Sequence, residues 1–184
     1  SLLPLPSLAV WPVLQGFLFL FNSIALSYQE AAVALLGRNS GNRRVMDRFA
    51  WQMGSLLTGI FLLAAVTPLG NLWFTGVSGL TGELLDLTGP PLLMLAAVPL
   101  LVARKSWYRG ELVHHGRTKV LAWAVSLHTA VLLLLVWVVP LAFPIEGTLT
   151  AASSFAVALA VENVVLRSGA GYRSTWRKRP EPVS

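Results

Sequence analysis

Three amide side chains recur at intervals of seven residues in the first apolar segment of the chain: Gln15, Asn22 and Gln29. Seven residues turn an α-helix by about 700°, so successive amides drift by only about 20° and form one stripe. The stripe is roughly 21 Å long at about 1.5 Å per residue. Such amides either line a polar path through a helix bundle or hydrogen-bond to neighbouring helices. The spacing supports both interpretations equally.

Three ionisable side chains also lie in apolar segments: Glu30 next to the amide stripe, His128, and Glu162. An ionisable group inside a membrane span is by default a proton or cation site. The alternatives are that the carboxylates reach the lipid headgroups or pair with loop arginines, and that His128 hydrogen-bonds to a neighbouring helix. A charge facing the bilayer centre costs at least about 2.5–3.5 kcal/mol. We therefore expect Glu30 and Glu162 to face protein or a wet cavity.

Other reactive groups are sparse. His114 and His115 lie among few carboxylates and the chain has no Cys, which argues against a metal site. The sequence contains no Gly-rich phosphate loop, no HExxH motif and no nucleophile with a recognisable base. An intramembrane enzyme needs acid and base groups at one depth, and only Glu30 with Glu162 qualifies. We predict no catalytic residue and no bound cofactor.

These side chains lie in long uncharged blocks. Only 12% of the 184 residues are charged, against about 25% in a typical soluble domain. About 20 apolar residues in a helix cross the hydrocarbon of a bilayer. The blocks predict an all-α membrane bundle over 1–167 and a basic cytoplasmic tail over 168–184. The five predicted spans are 8–36, 49–73, 84–103, 119–143 and 148–166.

The basic residues predict how the spans are oriented. All 14 Lys and Arg fall after the first, third and fifth spans. Cytoplasmic loops are rich in Lys and Arg, so this partition places the N-terminus outside and the C-terminus in the cytoplasm. It also explains the net charge of +6 without a nucleic-acid partner. We expect the protein to lie in a cell membrane, and specifically in the cytoplasmic membrane of a bacterium.

Two further patterns concern helix geometry. Gly89, Pro90 and Pro91 lie in the third span, where proline removes a backbone donor and bends a helix. We predict a bend near Gly89–Pro91 that serves either as a hinge or as a static kink. In the second span, the pairs Gly54/Thr58 and Ser55/Gly59 match the small-xxx-small pattern of close helix packing.

Two segments carry a family resemblance: AVALLGRNSGNRRVMDRFAWQMG (32–54) and PPLLMLAAVPLLVARKSWYRGELVHHGRTK (90–119). Both resemble helix–loop–helix segments of multidrug and toxic compound extrusion transporters, members of the flippase and multidrug-exporter superfamily. Val138–Pro140, Gly147 and Glu162 are also similar to the last helices of the ankylosis-type membrane proteins. There, a Glu-Ile-Arg-Ala-Val-like stretch stands where this chain has 29–33.

The resemblance implies twelve helices in two lobes, alternating access, and coupling to protons or sodium. This chain, which does not begin with Met, would then be most of the second lobe. Its partners would be the N-terminal lobe, the bilayer and an unidentified small-molecule or lipid substrate. Asp86 is a candidate for the cation-binding acid of the exporters. The alternative function is a non-transporting scaffold or subunit. In such a protein, every polar side chain within the spans would form a hydrogen bond to a neighbouring helix, and the bundle would contain no cavity.

The absence of native cysteines allows the topology to be tested by labelling. We expect single cysteines at Ser78 or Gly147 to react with an impermeant reagent added outside the cell. Cysteines at Ser40 or Ser174 should react only after the membrane is opened, because both positions follow basic segments. Labelling of position 40 in intact cells would reverse the predicted orientation.

Overall fold

The computed structural model describes residues 5–38, 43–80, 82–142 and 146–171. Every regular element in these residues is helical, as predicted. A π-helical turn, Trp73–Val77, follows α3. The helices are α1 (Leu5–Arg38), α2 (Arg43–Val66), α3 (Pro68–Leu72), α4 (Glu83–Asp86), α5 (Gly89–Leu95), α6 (Val98–His114), α7 (Thr118–Ala142) and α8 (Gly147–Gly171).

Four helices, α1, α2, α7 and α8, are each long and apolar enough to cross a membrane. A fifth crossing is formed if the bent pair Leu84–Leu95 and Val98–His114 counts as one span. Large apolar side chains on the outside of the bundle, such as Trp123 and Leu133, are exposed. These features point to an integral membrane protein, because lipid rather than water is the solvent that suits such a surface.

Several predicted boundaries differ from the structure, among them the start of the second span, which is Arg43 rather than residue 49. The second span ends at Val66 rather than at residue 73, because Pro68 begins a new short helix. The third continues from the predicted end at residue 103 to His114. The fifth continues past residue 166 to Gly171, so that the predicted tail begins within α8. The rest of that tail, and the labelling positions Ser40 and Ser174, lie outside the described residues.

The third span is bent, and its helix is interrupted at 87–88, directly before the predicted position, and again after Leu95. Pro90 and Pro91 stand in the first turn of α5, where a missing N–H costs nothing. The chain bends by 41° between Leu95 and Val98 instead. Thr58 supports the helix just after this break, because its hydroxyl accepts a hydrogen bond from the backbone N–H of Leu100 at 3.2 Å.

α6 is the central helix, in contact with α1, α2, α7 and α8. Two glycines allow neighbours to approach closely. A Cβ on Gly110 would lie 2.9 Å from the Cβ of Ala32 in α1. A Cβ on Gly54 of α2 would lie 3.1 Å from the Cα of Leu100. The Gly54/Thr58 pair therefore packs against α6, whereas Gly59 faces open space.

α6 ends at a glycine cap. Gly116 has a φ of +65°, which L-residues rarely adopt. The N–H of Gly116 donates to the carbonyl of Val113 at 2.9 Å, and that of Arg117 donates to Leu112 at 2.8 Å. These bonds satisfy carbonyls that the end of a helix leaves unpaired. The basic residues Arg104, Lys105 and Arg109, which the sequence analysis assigned to a loop, thus belong to the central helix.

The tight contact at Gly54 gives a stability prediction. Replacing Gly54 with Leu should lower the free energy of unfolding in detergent by about 1–3 kcal/mol, because the added side chain has no room against Leu100. Gly59→Leu is the matched control, since nothing lies within 4 Å of its Cβ position. Equal unfolding midpoints for the two variants would show that α2 and α6 do not pack as described.

Candidate functional site

Three helices bring a carboxylate, an ammonium and an imidazole together inside the bundle. Glu162 of α8 accepts a hydrogen bond at its Oε2 from the Nζ of Lys105 of α6, at 2.7 Å. The Nδ1 of His128, on α7, lies 3.1 Å from the same oxygen. The Glu162 side chain is only 1% exposed, that of Lys105 18% and that of His128 16%. We call Lys105, His128 and Glu162 the charge cluster.

The charge cluster lies within the helices rather than at their ends. His128 is about 15 Å from the start of α7, and Glu162 about 14 Å from the end of α8, at about 1.5 Å per residue. Glu162 lies five residues, about 7.5 Å, before the exposed Arg167, so the cluster lies inside the bundle but towards the end at which α7 begins and α8 ends. An unpaired charge buried among apolar helices is strongly unfavourable, whereas a charge in an ion pair is tolerated.

Asn163 holds α6 and α8 in the register that the cluster requires. Its Nδ2 donates to the carbonyl of Leu101 in α6 at 3.1 Å, and to that of Leu159 in its own helix at 2.9 Å.

Some buried polar atoms near the charge cluster have no hydrogen-bond partner within the described chain. Among the described residues, Oε1 of Glu162 and Oδ1 of Asn163 are buried without a hydrogen-bond partner. Both oxygens can accept a further hydrogen bond or bind a cation.

Two more ion pairs lie on either side of Lys105 along α6. Arg104 donates to Oδ1 of Asp47 in α2 at 2.7 Å, and also bonds to the hydroxyl of Tyr108. Glu111, nearly fully buried, pairs through Oε1 with Nε of Arg43 at 2.6 Å. A cavity of about 440 Å³ opens beside these pairs. We call this end of the bundle, where α2 begins and α6 and α8 end, the basic end.

The predicted site residues are only partly brought together. Glu162 is buried against protein, as expected, and His128 is its neighbour. Glu30 is exposed on the surface of α1, so it is not packed against the protein that the structure describes, and that it faces a wet cavity stays a prediction. Asp86 is exposed at the end of α4, at the far end of the bent pair from the charge cluster.

The amide stripe is half-buried at all three positions, Gln15, Asn22 and Gln29. The Oδ1 of Asn22 is buried and has no hydrogen-bond partner in the described chain. The stripe does not contribute to the charge cluster, which is formed by α6, α7 and α8. Its two interpretations, a polar path and interhelical bonding, both remain predictions.

Sequence analysis missed Lys105, because the third span was ended at the first basic residue. The local sequence did not mark the true end of the helix, because Gly110 precedes Gly116 and only the structure shows that Gly116 has the positive φ of a cap. Once the helix is continued, Lys105 lies inside the bundle and needs a counter-charge, which Glu162 provides.

No family model, curated protein or solved structure matches the chain. No group of three or more His, Cys, Asp or Glu is placed to bind a metal in the part of the chain that the structure describes. The fold and the charge cluster define the class: a polytopic helical bundle of the integral membrane type, with a buried ion pair shared between its helices.

The buried pair gives a second stability prediction. Glu162→Leu should destabilise the protein by about 3–5 kcal/mol, because it leaves the ammonium of Lys105 buried without a counter-charge. The double variant Lys105→Leu with Glu162→Leu should recover most of this loss, since an apolar pair needs no compensation. Unfolding midpoints in detergent measure both effects. A double variant no more stable than the single one would contradict the pairing.

Proposed function

We propose that the chain is a module of an ion-coupled membrane transporter or flippase, and that Glu162 is its coupling carboxylate. The observation that carries the proposal is the charge cluster: a carboxylate, an ammonium and an imidazole meet on one oxygen deep in the bundle. Groups of this kind within spans mark proton relays and ion pathways. The resemblance to one lobe of the multidrug exporters supports the same function.

The cluster has the composition of a proton-exchange site. A proton on Glu162 cancels the charge that holds Lys105. Nδ1 of His128 lies 3.1 Å from the same oxygen without a hydrogen bond to it, so the imidazole must reorient to accept or deliver that proton. Loss of the ion pair frees α6 and α8 to move relative to each other. The bend before Val98 gives α6 a place to pivot. Proton binding and helix movement are coupled in this way.

Unused polar atoms favour transport over a static scaffold. A scaffold should consume its buried polar groups in interhelical bonds. In the described residues, α8 buries three hydroxyls without hydrogen-bond partners, at Thr148, Thr150 and Ser154, in addition to the free oxygen of Glu162. A cavity is also present at the basic end. Polar groups of this kind suit a wet path through the bundle.

The scaffold hypothesis has one observation in its favour. The close contacts at Gly54 and Gly110 lock α6 against α2 and α1. Tight packing of this kind suits a rigid element as well as a moving one. Under the proposal, these contacts make α1, α2 and α6 one body, which pivots at the break before Val98 relative to α7 and α8.

The proposal also covers the orientation of the chain in the membrane, its partner lobe, its coupling ion and its substrate. We place the N-terminus outside and the basic end in the cytoplasm of a bacterial cell, an orientation that the distribution of Lys and Arg supports. A second lobe completes the translocation path. Coupling to protons is favoured over sodium because Lys105 and His128 both compete with a cation for Glu162. The transported substrate is a small molecule or a lipid.

Transport in proteoliposomes tests the proposal. We expect the full-length protein to accumulate at least one member of a panel of labelled organic cations, organic anions and lipids when a pH gradient is imposed. Glu162→Gln keeps the size of the side chain and removes its titration, so gradient-driven uptake should fall to background. Replacing sodium with choline should leave uptake unchanged.

Glu30→Gln is the matched control, because Glu30 is an exposed carboxylate outside the charge cluster. It should retain uptake with an unaltered dependence on pH. Uptake by Glu162→Gln with the same pH profile as the wild type would refute the coupling role. Failure of the wild type to move any substrate class would favour the scaffold.

A further inference from the structure

The cavity at the basic end has an excess of positive charge. Its lining contains four arginines, Arg43, Arg44, Arg104 and Arg167, and two carboxylates, Asp47 and Glu111. Four positive charges less two negative ones leave a formal excess of two. The arginines come from α2, α6 and α8, so the charge converges from three helices. A uniform basic fringe along a membrane surface does not require such convergence.

The two carboxylates are already occupied. Glu111 pairs with Arg43, and Asp47 pairs with Arg104. Arg44 and Arg167 are exposed at the cavity and form no ion pair with any residue that the structure describes. The excess charge is therefore carried by two guanidinium groups that face solvent and have hydrogen-bond donors to offer.

The inner wall of the cavity is rigid. The guanidinium of Arg104 is bonded to Asp47 and stacks against two rings, with its Cζ 4.9 Å from the centroid of Trp51 and 4.7 Å from that of Tyr108. Stacking on aromatic faces and bonding to a carboxylate both restrict an arginine side chain. A ligand entering the cavity meets a preformed wall and loses little binding energy to ordering it.

Arginine clusters match phosphate groups especially well. The planar guanidinium donates two parallel hydrogen bonds to neighbouring oxygens, and Arg predominates where phosphate is bound. Basic pockets between membrane helices near the cytoplasmic surface bind anionic headgroups. Trp51 lies at the cavity and is half exposed, as suits an aromatic side chain at headgroup level.

We propose that this cavity is a binding site for a phosphate group, carried by an anionic phospholipid at the membrane surface or by a small molecule. Arg44 and Arg167 contact the phosphate, and Arg104 with its aromatic partners forms the floor. The inference does not rest on the transport proposal, since a scaffold could bind the same ligand.

Binding can be measured on the purified full chain in neutral detergent. The probes are dihexanoyl phosphatidylglycerol, dihexanoyl phosphatidylcholine and inorganic phosphate, each titrated at constant ionic strength while the unfolding midpoint is recorded. We expect phosphatidylglycerol or inorganic phosphate to raise the midpoint in a saturable way, and phosphatidylcholine to have a much smaller effect. Saturation by phosphatidylglycerol alone assigns a lipid ligand, and saturation by inorganic phosphate assigns a free phosphate; each supports the site.

The variant Arg44→Gln with Arg167→Gln removes the two unpaired charges of the cavity and should raise the apparent Kd roughly tenfold or more. The control is Arg48→Gln with Lys119→Gln. These two residues are exposed near the same end of the bundle and do not line the cavity, so the net charge falls equally. The control should change the Kd by less than about twofold, because its charges do not converge on one ligand.

Two results would overturn the proposal. Equal weakening in both double variants would mean that the phosphate is attracted by the basic surface as a whole. Equal stabilisation by phosphatidylglycerol and phosphatidylcholine would mean that chain length, and not the anionic headgroup, is recognised. Both variants replace exposed side chains, so each should fold and give an interpretable midpoint.

Discussion

The structure depends on how the charges of α6 are compensated. This helix carries Arg104, Lys105 and Glu111 with their side chains largely buried between helices, where an unpaired charge is strongly unfavourable. Each finds a partner on a different turn or helix: Asp47 and Arg43 on α2, and Glu162 on α8. Three ion pairs fix the rotation of α6 about its axis, and the glycine contacts fix its distance from α1 and α2.

The pairing of charges between helices separates what could be predicted from the sequence from what could not. Uncharged blocks predicted five spans, and the structure has four such helices, or five if the bent pair is counted as one. The Gly54/Thr58 pair indicated one of the tight contacts. The third span was ended too early because a run of charges was treated as a loop, whereas helix α6 continues and pairs them. Glu162 was recognisable as an intramembrane acid. Its partner Lys105 was not, since pairing across helices depends on the tertiary arrangement and leaves no local pattern.

The position of the bend in the third span also could not be predicted from the sequence alone. Proline marks either the start of a helix or a kink within one, and the sequence does not distinguish Pro91 from Pro99 in this respect. The structure places both in first turns and the break between them, at Ala96 and Ala97. Thr58 then satisfies a backbone donor just after the break. A bend supported from a neighbouring helix beside a buried ion pair is the arrangement that the transport proposal needs.

The contact between Lys105 and Glu162 is the most direct test of this account. The chain has only three lysines, Lys105, Lys119 and Lys178, so ¹⁵N-labelled ammonium signals can be assigned by substitution in lipid bilayers. Dipolar recoupling between a lysine ¹⁵Nζ and the ¹³C-labelled carboxylates of Glu should give strong dephasing for Lys105, because its Nζ lies 2.7 Å from Oε2 of Glu162. Glu162→Gln should abolish the carboxylate dephasing at that site. A Lys105 signal with no close carboxylate in the wild type would contradict the arrangement of α6 and α8.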